Sequence, residues 1–369
     1  MSPLAVALAP DVEAQVNRVL DGALQCAALR AASFGPQYGL LWSELARSAH
    51  GGKRFRSAIV IGVHAGLGDP HPRAAVSVAA GFELLHTAFL IHDDLIDGDT
   101  MRRGRPNLAA TMRADALARG HDPQRADRWA TAAAVLAGDL ALGQAHRLVA
   151  TEQAPASARA ALMNLLDETL LVTVGGELAD TAFGLGLHDP TLEESLRVAE
   201  SKTAMYSFRA PLQAGAILAG ASDALLAELD DQGRLLGRAF QLVDDLLGVF
   251  APQAVTGKSD ISDLREGKRT PLLLHARSLP VWDELAGDIG RPDLDEPTAD
   301  RLRGALARSA APGMVQESVR AELDEVDRRL AAGALPVGLE PVVGAVTATI
   351  RRALADVGHR IEEVRCQAV

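Results

Sequence analysis

The stretch Phe89-Leu90-Ile91-His92-Asp93-Asp94-Leu95-Ile96-Asp97 ends a long apolar run that starts at Ala74, and its reading decides the fold. Ala74 to Ile91 is long enough to suggest a membrane span, but it contains Glu83 and His86, so it reads as a buried amphipathic helix leading into the acidic motif. At about 100° per residue, that helix places Asp93 and Asp97 about 40° apart on one face, with Asp94 beside them and His86 aligned with both. Phe89 lies near the same face, about 6 Å deeper at 1.5 Å per residue. Carboxylates this close repel one another unless a cation sits between them. Oxygen-only clusters of this kind suit Mg2+, which is held by one or two carboxylates together with substrate phosphates.

The pattern has an echo. Gln241, Asp244, Asp245 and Gly248 follow i, i+3, i+4, i+7 and share one helical face, with Leu242 and Val243 as apolar neighbours. Each acidic cluster is trailed by cations: Arg102 and Arg103 after the first, Lys258 and Lys268 after the second. A lone acidic motif is most often solvated surface. Two of them with apolar flanks and following cations point to a cavity wall, and opposed faces would clamp a polyanion through metal.

Composition agrees with a helical answer. Of 369 residues, 48% are hydrophobic but only 4% aromatic, so the core is expected from close packing of Ala- and Leu-rich helices rather than from sheets. A net charge of -11 argues against nucleic acid as a partner, while bound metal would offset that charge locally for a phosphate ligand. Cys26 and Cys366 are too few for a disulfide framework, and Met1 to Ala7 lacks the basic start of a secretory signal, so a cytoplasmic protein without a membrane span is expected.

Helical periodicity runs nearly throughout, over roughly 11 to 33, 40 to 49, 54 to 65, 73 to 98, 107 to 119, 126 to 151, 156 to 184, 190 to 220, 222 to 250, 270 to 278, 298 to 309, 314 to 332 and 340 to 365. Gly and Pro punctuate the breaks, and none is long enough for an interdomain linker. The expectation is a loose tail over 1–10 and one large all-α bundle domain over 11–369.

Three further segments carry charge in suggestive places. Gly51-Gly52-Lys53-Arg54-Phe55-Arg56 puts glycines before a helix and cations in its first turn, where they oppose the macrodipole; an anion held by Lys53, Arg56 and the free N–H groups would explain this. Lys202-Thr203 falls inside a helical segment and by itself reads as a solvated lysine. Thr256 to Arg269, which includes Lys258 and Lys268, is a charged, Gly-punctuated loop that beside a diphosphate site reads as a lid.

Taken in order, Gly51-Gly52-Lys53-Arg54-Phe55-Arg56, His86 with Asp93-Asp94-x-x-Asp97, Arg102-Arg103-Gly104-Arg105-Pro106, Lys202-Thr203, Gln241-x-x-Asp244-Asp245 and Lys258 through Asp263 to Thr270 resemble the trans (all-E) isoprenyl diphosphate synthases over about residues 40–275. The resemblance implies an all-α fold around a deep central cavity, a homodimer and three Mg2+ ions. It implies that Asp93 and Asp97 hold two ions and Asp244 the third. Arg102, Lys202 and Lys258 would contact the allylic diphosphate, Lys53, Arg56, His86 and Arg103 the diphosphate of isopentenyl diphosphate, and Lys268 would help close the site. Thr203 and Gln241 would steady the allylic cation formed when diphosphate departs, before the double bond of isopentenyl diphosphate attacks it. Two departures stand out. Gly248 replaces a third aspartate and weakens the second cluster by one charge, and Ser57 replaces a frequent proline, with an effect expected only on local rigidity. Product length in this family follows cavity depth, set by bulk below the first aspartate. A small Ala88 beside Phe89 implies geranylgeranyl diphosphate (C20) first, with farnesyl (C15) and longer products after it.

Other classes make different demands. A terpene cyclase needs no second diphosphate site, which Lys53, Arg56 and Arg103 imply here. An HD-type phosphohydrolase, suggested by His92-Asp93, needs more histidines at helical spacing. A non-catalytic subunit of a heteromeric synthase tends to lose the first motif, which is intact in this chain.

Overall fold

The computed structural model describes residues 10–252 and 262–367. Lys258 and the rest of 256–261 in the expected lid loop lie outside them, as does the expected tail except for Pro10, which opens the first helix. The described residues group into two compact units, one built from residues up to Leu166 together with Pro211–Ser222, the other from Asp167–Ala210 and the residues from Asp223 onward.

The first unit contains α1 (Pro10–Ala31), α2 (Pro36–Ala49), α3 (Phe55–Gly66), α4 (Pro72–Ile96), α5 (Leu108–Ala118) and α6 (Pro123–Val149). Prolines at the first turn start α2, α4 and α6, where a missing N–H costs nothing. Asn107 and Asp122 cap α5 and α6 through their side chains. α4 is the hub of this unit and packs chiefly on α6. The face that α6 presents is Ala133, Ala134, Ala137, Gly138, Ala141 and Ala145, all buried, so the two backbones approach closely. Gly81 of α4 permits this: a Cβ there would come within 3.1 Å of the Ala145 carbonyl. By length and composition α4 alone among the described helices resembles a membrane span, but 83% of that window is buried in the protein, as expected of a core helix.

The second unit takes the C-terminal half of α7 (Ala156–Gly184), then α8 (Leu192–Ala199), a π-helical segment (Glu200–Arg209), and α10 (Asp223–Phe250). The short α9 (Ala210–Leu218) lies mainly in the first unit, where Gly215 lets it rest against the Val60 carbonyl of α3. α11 (Ser262–Glu266), α12 (Pro271–Arg277), α13 (Trp282–Leu285), α14 (Glu296–Arg308), α15 (Ala311–Ala331) and α16 (Glu340–Gln367) complete the chain. α10 is the centre of this unit, packing on the π segment, α15 and α16. Its buried leucines and valines, from Leu229 to Val249, each contribute about 1.5–3 kcal/mol of apolar burial.

The expected all-α class is observed. Among the described residues the strands are a two-residue pair, β1 (Met101–Arg102) and β2 (Arg105–Pro106). They are joined by Arg103 and Gly104, both at positive φ (54° and 72°), the turn geometry that matches strand twist.

Candidate active site

In the first unit, α4 carries the first acidic motif at its C-terminus. Asp97 terminates the helix, its N–H donating to the Asp93 carbonyl at 2.9 Å. Carboxylate oxygens of Asp93 and Asp97 come within 4.8 Å of each other, as the helical spacing predicts. Asp94 is buried and faces differently, accepting from Arg102 Nε at 2.7 Å. Arg102 also donates to Asp93 Oδ2 at 3.0 Å and pairs with Asp99 at 3.6 Å. Burial opposes the charge on Arg102, but Asp94 and Asp93 outweigh it and raise the guanidinium above its usual pKa. The hairpin is what returns Arg102 over the aspartates.

Arg103, at the hairpin turn, donates to the carbonyls of His50 (2.8 Å) and Gly51 (2.7 Å). A Cβ at Gly52 would lie 2.9 Å from its guanidinium, so the glycine makes room for the arginine. The hairpin therefore fastens one cationic segment onto another. Lys53 Nζ is enclosed without a hydrogen-bond partner among the described residues, and burial lowers its pKa. His86 is held well below the ordinary histidine pKa, first by burial and then by the positive fields of Arg56, Arg103 and Arg102, against the opposing charge of Asp93. The charges acting on this ring put Arg56, Arg102 and Arg103 around His86 in one electropositive neighbourhood.

In the second unit the π segment positions Lys202 and Thr203. A ten-residue π segment changes which side chains share a face, and such insertions recur at functional sites. Thr203 donates to Gln241 Oε1 (2.5 Å), and Gln241 Nε2 donates to Asp245 Oδ1 (2.7 Å). Lys202 is paired with Asp180 (2.8 Å) and Glu177 (3.0 Å) of α7, so the solvated-lysine reading gives way to a held one. Sequence reasoning missed both acidic partners. The available signal was Gly176, beside Glu177: a Cβ there would sit 2.5 Å from the Lys202 backbone nitrogen, so α7 touches the π segment at that point.

The second motif divides into an exposed Asp244 and a buried Asp245. Burial first, then the charges of Asp263, Asp244 and Asp180, push the Asp245 carboxyl well above the usual carboxylate range, against the hydrogen bond from Gln241. Gly248 was expected to leave the cluster one charge short. The space a side chain would take there holds the Asp263 carboxylate of α11: a Cβ at 248 would overlap Asp263 Oδ2 and lie 3.2 Å from its Cγ. Lys268 pairs with Glu266 at 3.3 Å and reaches Asp263 at 4.0 Å. Below the first motif, Ala88 is fully buried and Phe89 is half-buried.

Comparison with known proteins gives this chemistry a family. Residues 43–283 match the family model described as polyprenyl synthetase. The chain is 38% identical over 305 residues to (2E,6E)-farnesyl diphosphate synthase of Mycobacterium tuberculosis, covering 79% of each. It is 32% identical over 249 residues to geranylgeranyl diphosphate synthase of Methanosarcina mazei, covering 68% of this chain and 70% of that protein. A crystal structure of geranylgeranyl pyrophosphate synthase from Corynebacterium glutamicum, complexed with isoprenyl diphosphate and magnesium, superposes with a TM-score of 0.82 at 27% identity, covering 92% of this chain and 97% of that one. The family match takes in both acidic motifs, the Gly51–Arg56 segment and Lys202-Thr203, and the chain belongs to the polyprenyl synthetase family, as a prenyltransferase that makes a prenyl diphosphate.

Proposed function

We propose that the chain condenses isopentenyl diphosphate head-to-tail with an allylic diphosphate to give an all-E prenyl diphosphate, with geranylgeranyl diphosphate as the product. The observation that carries this reading is the electropositive neighbourhood of Arg56, His86, Arg102 and Arg103 on the same unit as the Asp93–Asp97 pair. It supplies anion binding beyond what the acidic pair needs, and a terpene cyclase has no use for it.

The donor set fits Mg2+. Asp93 with Asp97, and separately Asp244 with Asp245 and Asp263, are all-oxygen groups of the kind a divalent cation neutralises; in the second, burial first and then the charges of Asp263 and Asp244 raise the Asp245 pKa. Asp93 and Asp97 would hold two ions and Asp244 a third; bound there, they stabilise negative charge on a departing diphosphate. The protein's own groups do the rest. Arg102, held by Asp94, presents a fixed positive charge beside Asp93. Lys53, Arg56, His86 and Arg103 are assigned to isopentenyl diphosphate, and Arg102, Lys202 and Lys258 to the allylic diphosphate, by family resemblance. Neutral His86 can still donate a hydrogen bond to a phosphate oxygen without adding to the local cationic repulsion. Thr203 and Gln241 offer oxygen dipoles to an allylic cation, and Lys268 is assigned to closing the site.

One all-α synthase domain over 11–369 is part of this proposal, supported by a family match that runs through both compact units. A homodimer is also proposed, on the exposed apolar residues Leu171, Val174 and Leu178 of α7, which recur at helical spacing. A cytoplasmic setting is supported by Cys26 and Cys366, both exposed and free of disulfides.

Product length decides between two readings. The small Ala88 favours C20, while the farnesyl-forming relative favours C15. Chromatography of products from isopentenyl diphosphate with C5, C10 and C15 primers tests both, since elongation of the C15 primer requires the longer reading. Phe89→Ala is expected to lengthen the product by at least one C5 unit and Ala88→Phe to shorten it. Unchanged profiles in both variants would remove the depth argument.

A further inference from the structure

We infer that Glu83 is a positioning residue for the isopentenyl diphosphate subsite and that Ser57 sets how firmly it holds that subsite in place. The inference rests on the assignment of Lys53 and Arg56 made above.

The start of α3 lacks a conventional cap. Its N-cap is Arg54, in the left-handed region at φ 50°, ψ 35°, and no side-chain cap bond is made there. Arginine carries no acceptor, so it cannot serve the free N–H groups of the first turn. Non-glycine residues adopt this backbone conformation only when their surroundings impose it.

Glu83 reaches across from α4 and supplies both missing functions. Its Oε1 accepts from the Ser57 backbone N–H (3.2 Å) and stands 3.0 Å from the Ser57 hydroxyl. Its Oε2 pairs with Arg54 Nη1 at 3.4 Å, and Arg54 is further fastened to the Ala49 carbonyl (3.1 Å) and Asn17 (3.0 Å). All three members are buried: Ser57 is 0%, Arg54 4% and Glu83 6% exposed. A carboxylate at this end of a helix also suits the macrodipole.

The consequence falls on the anion-binding segment. Lys53 and Arg56 flank Arg54 and Phe55 in sequence, so the unusual Arg54 backbone fixes the direction in which each leaves the loop. Glu83 holds the backbone between them through Ser57 and Arg54, and its charge also acts on Arg103. Proline, frequent at this position in the family, has no N–H and no hydroxyl. Ser57 therefore does more than adjust rigidity: it gives Glu83 a backbone N–H that proline lacks, and a hydroxyl placed between Glu83 at 3.0 Å and the Ala79 carbonyl at 3.2 Å.

The test measures binding of isopentenyl diphosphate by calorimetry without an allylic co-substrate, alongside steady-state kinetics. Ser57→Ala is expected to raise the Kd and KM for isopentenyl diphosphate roughly threefold, and Ser57→Pro roughly tenfold, with kcat and the allylic KM held within about twofold. Glu83→Gln, which weakens the grip on Arg54, is expected to follow the same split. Equal movement of kcat and both KM values, or none in any, overturns the inference. If Ser57→Pro fails to fold by circular dichroism, Ser57→Ala and Glu83→Gln decide the matter. Arg56→Gln is the control. If it weakens isopentenyl diphosphate binding while the Ser57 and Glu83 variants do not, the positioning role alone falls; if it too has no effect, the subsite assignment falls with it.

Discussion

Asp93→Ala is expected to reduce kcat by about 10³-fold or more, which is about 4 kcal/mol of lost transition-state stabilisation. Asp93 sits at the end of α4 with its carboxylate within 4.8 Å of Asp97, and the two offer a cation adjacent oxygens that neither supplies alone. Asp93 also accepts from Arg102, so the substitution removes two things at once. Asp93→Asn separates them. Asparagine keeps the shape and an oxygen for Arg102 but loses the charge, while Arg102 keeps its bond to Asp94 at 2.7 Å. The asparagine variant is therefore expected to be nearly as slow as the alanine one. A binding measurement stands beside the rate: Mg2+ with inorganic diphosphate should raise the melting temperature of the natural chain and do so much less in either variant. Near-normal turnover of Asp93→Ala with Mg2+ would sink the metal assignment.

The first motif could be read in advance because everything it needs is local. Pro72 starts α4, the apolar run spans it, and Asp93 and Asp97 are four residues apart, so a helix alone brings the carboxylates together. The Gly51–Arg56 segment could be read for a similar reason, since cations in a first turn have no structural benefit. What escaped was pairing at a distance. Glu177 and Asp180 lie on a helix whose bounds were expected correctly, 156 to 184, yet they look like solvated charges until Lys202, 25 and 22 residues on, folds against them. The hairpin of Arg102 and Arg105 is two residues per strand, too short for any alternation to appear. Residues 190–220 read as one helix because hydrophobic periodicity over ten residues barely distinguishes π from α winding. The same shortness of range hid Asp263: the loss of charge at Gly248 is local and visible, whereas its replacement arrives from α11.

Gly237→Ala is expected to be the most damaging single-methyl change outside the acidic motifs, because α10 meets the π segment through a groove of missing side chains. Gly233, Gly237 and Gln241 repeat every four residues on α10. A Cβ at Gly233 would lie 2.6 Å from the Arg209 Cα, and one at Gly237 would overlap Ala204 and come within 3.2 Å of the Phe208 ring. Ala204 follows Thr203 directly, and Gln241 is one turn beyond Gly237. The added methyl must therefore push the π segment outward at the very place where Thr203 donates to Gln241 over 2.5 Å. Overpacking of this kind costs about 1–3 kcal/mol, and loss of the Thr203–Gln241 bond adds about 1 kcal/mol more. Displacement of Lys202 and Thr203 by about 1 Å is expected to lower kcat by about 10²-fold, since positioning losses of that size follow such shifts of reacting groups. Thermal unfolding and kinetics on the same preparation check this: the melting temperature should fall by a few degrees while the folded fraction at assay temperature stays high. Gly22→Ala is the control, as nothing lies within 4 Å of a Cβ at that position. If Gly237→Ala matches it in both stability and rate, the close approach of α10 to the π segment is not what holds Thr203 in place.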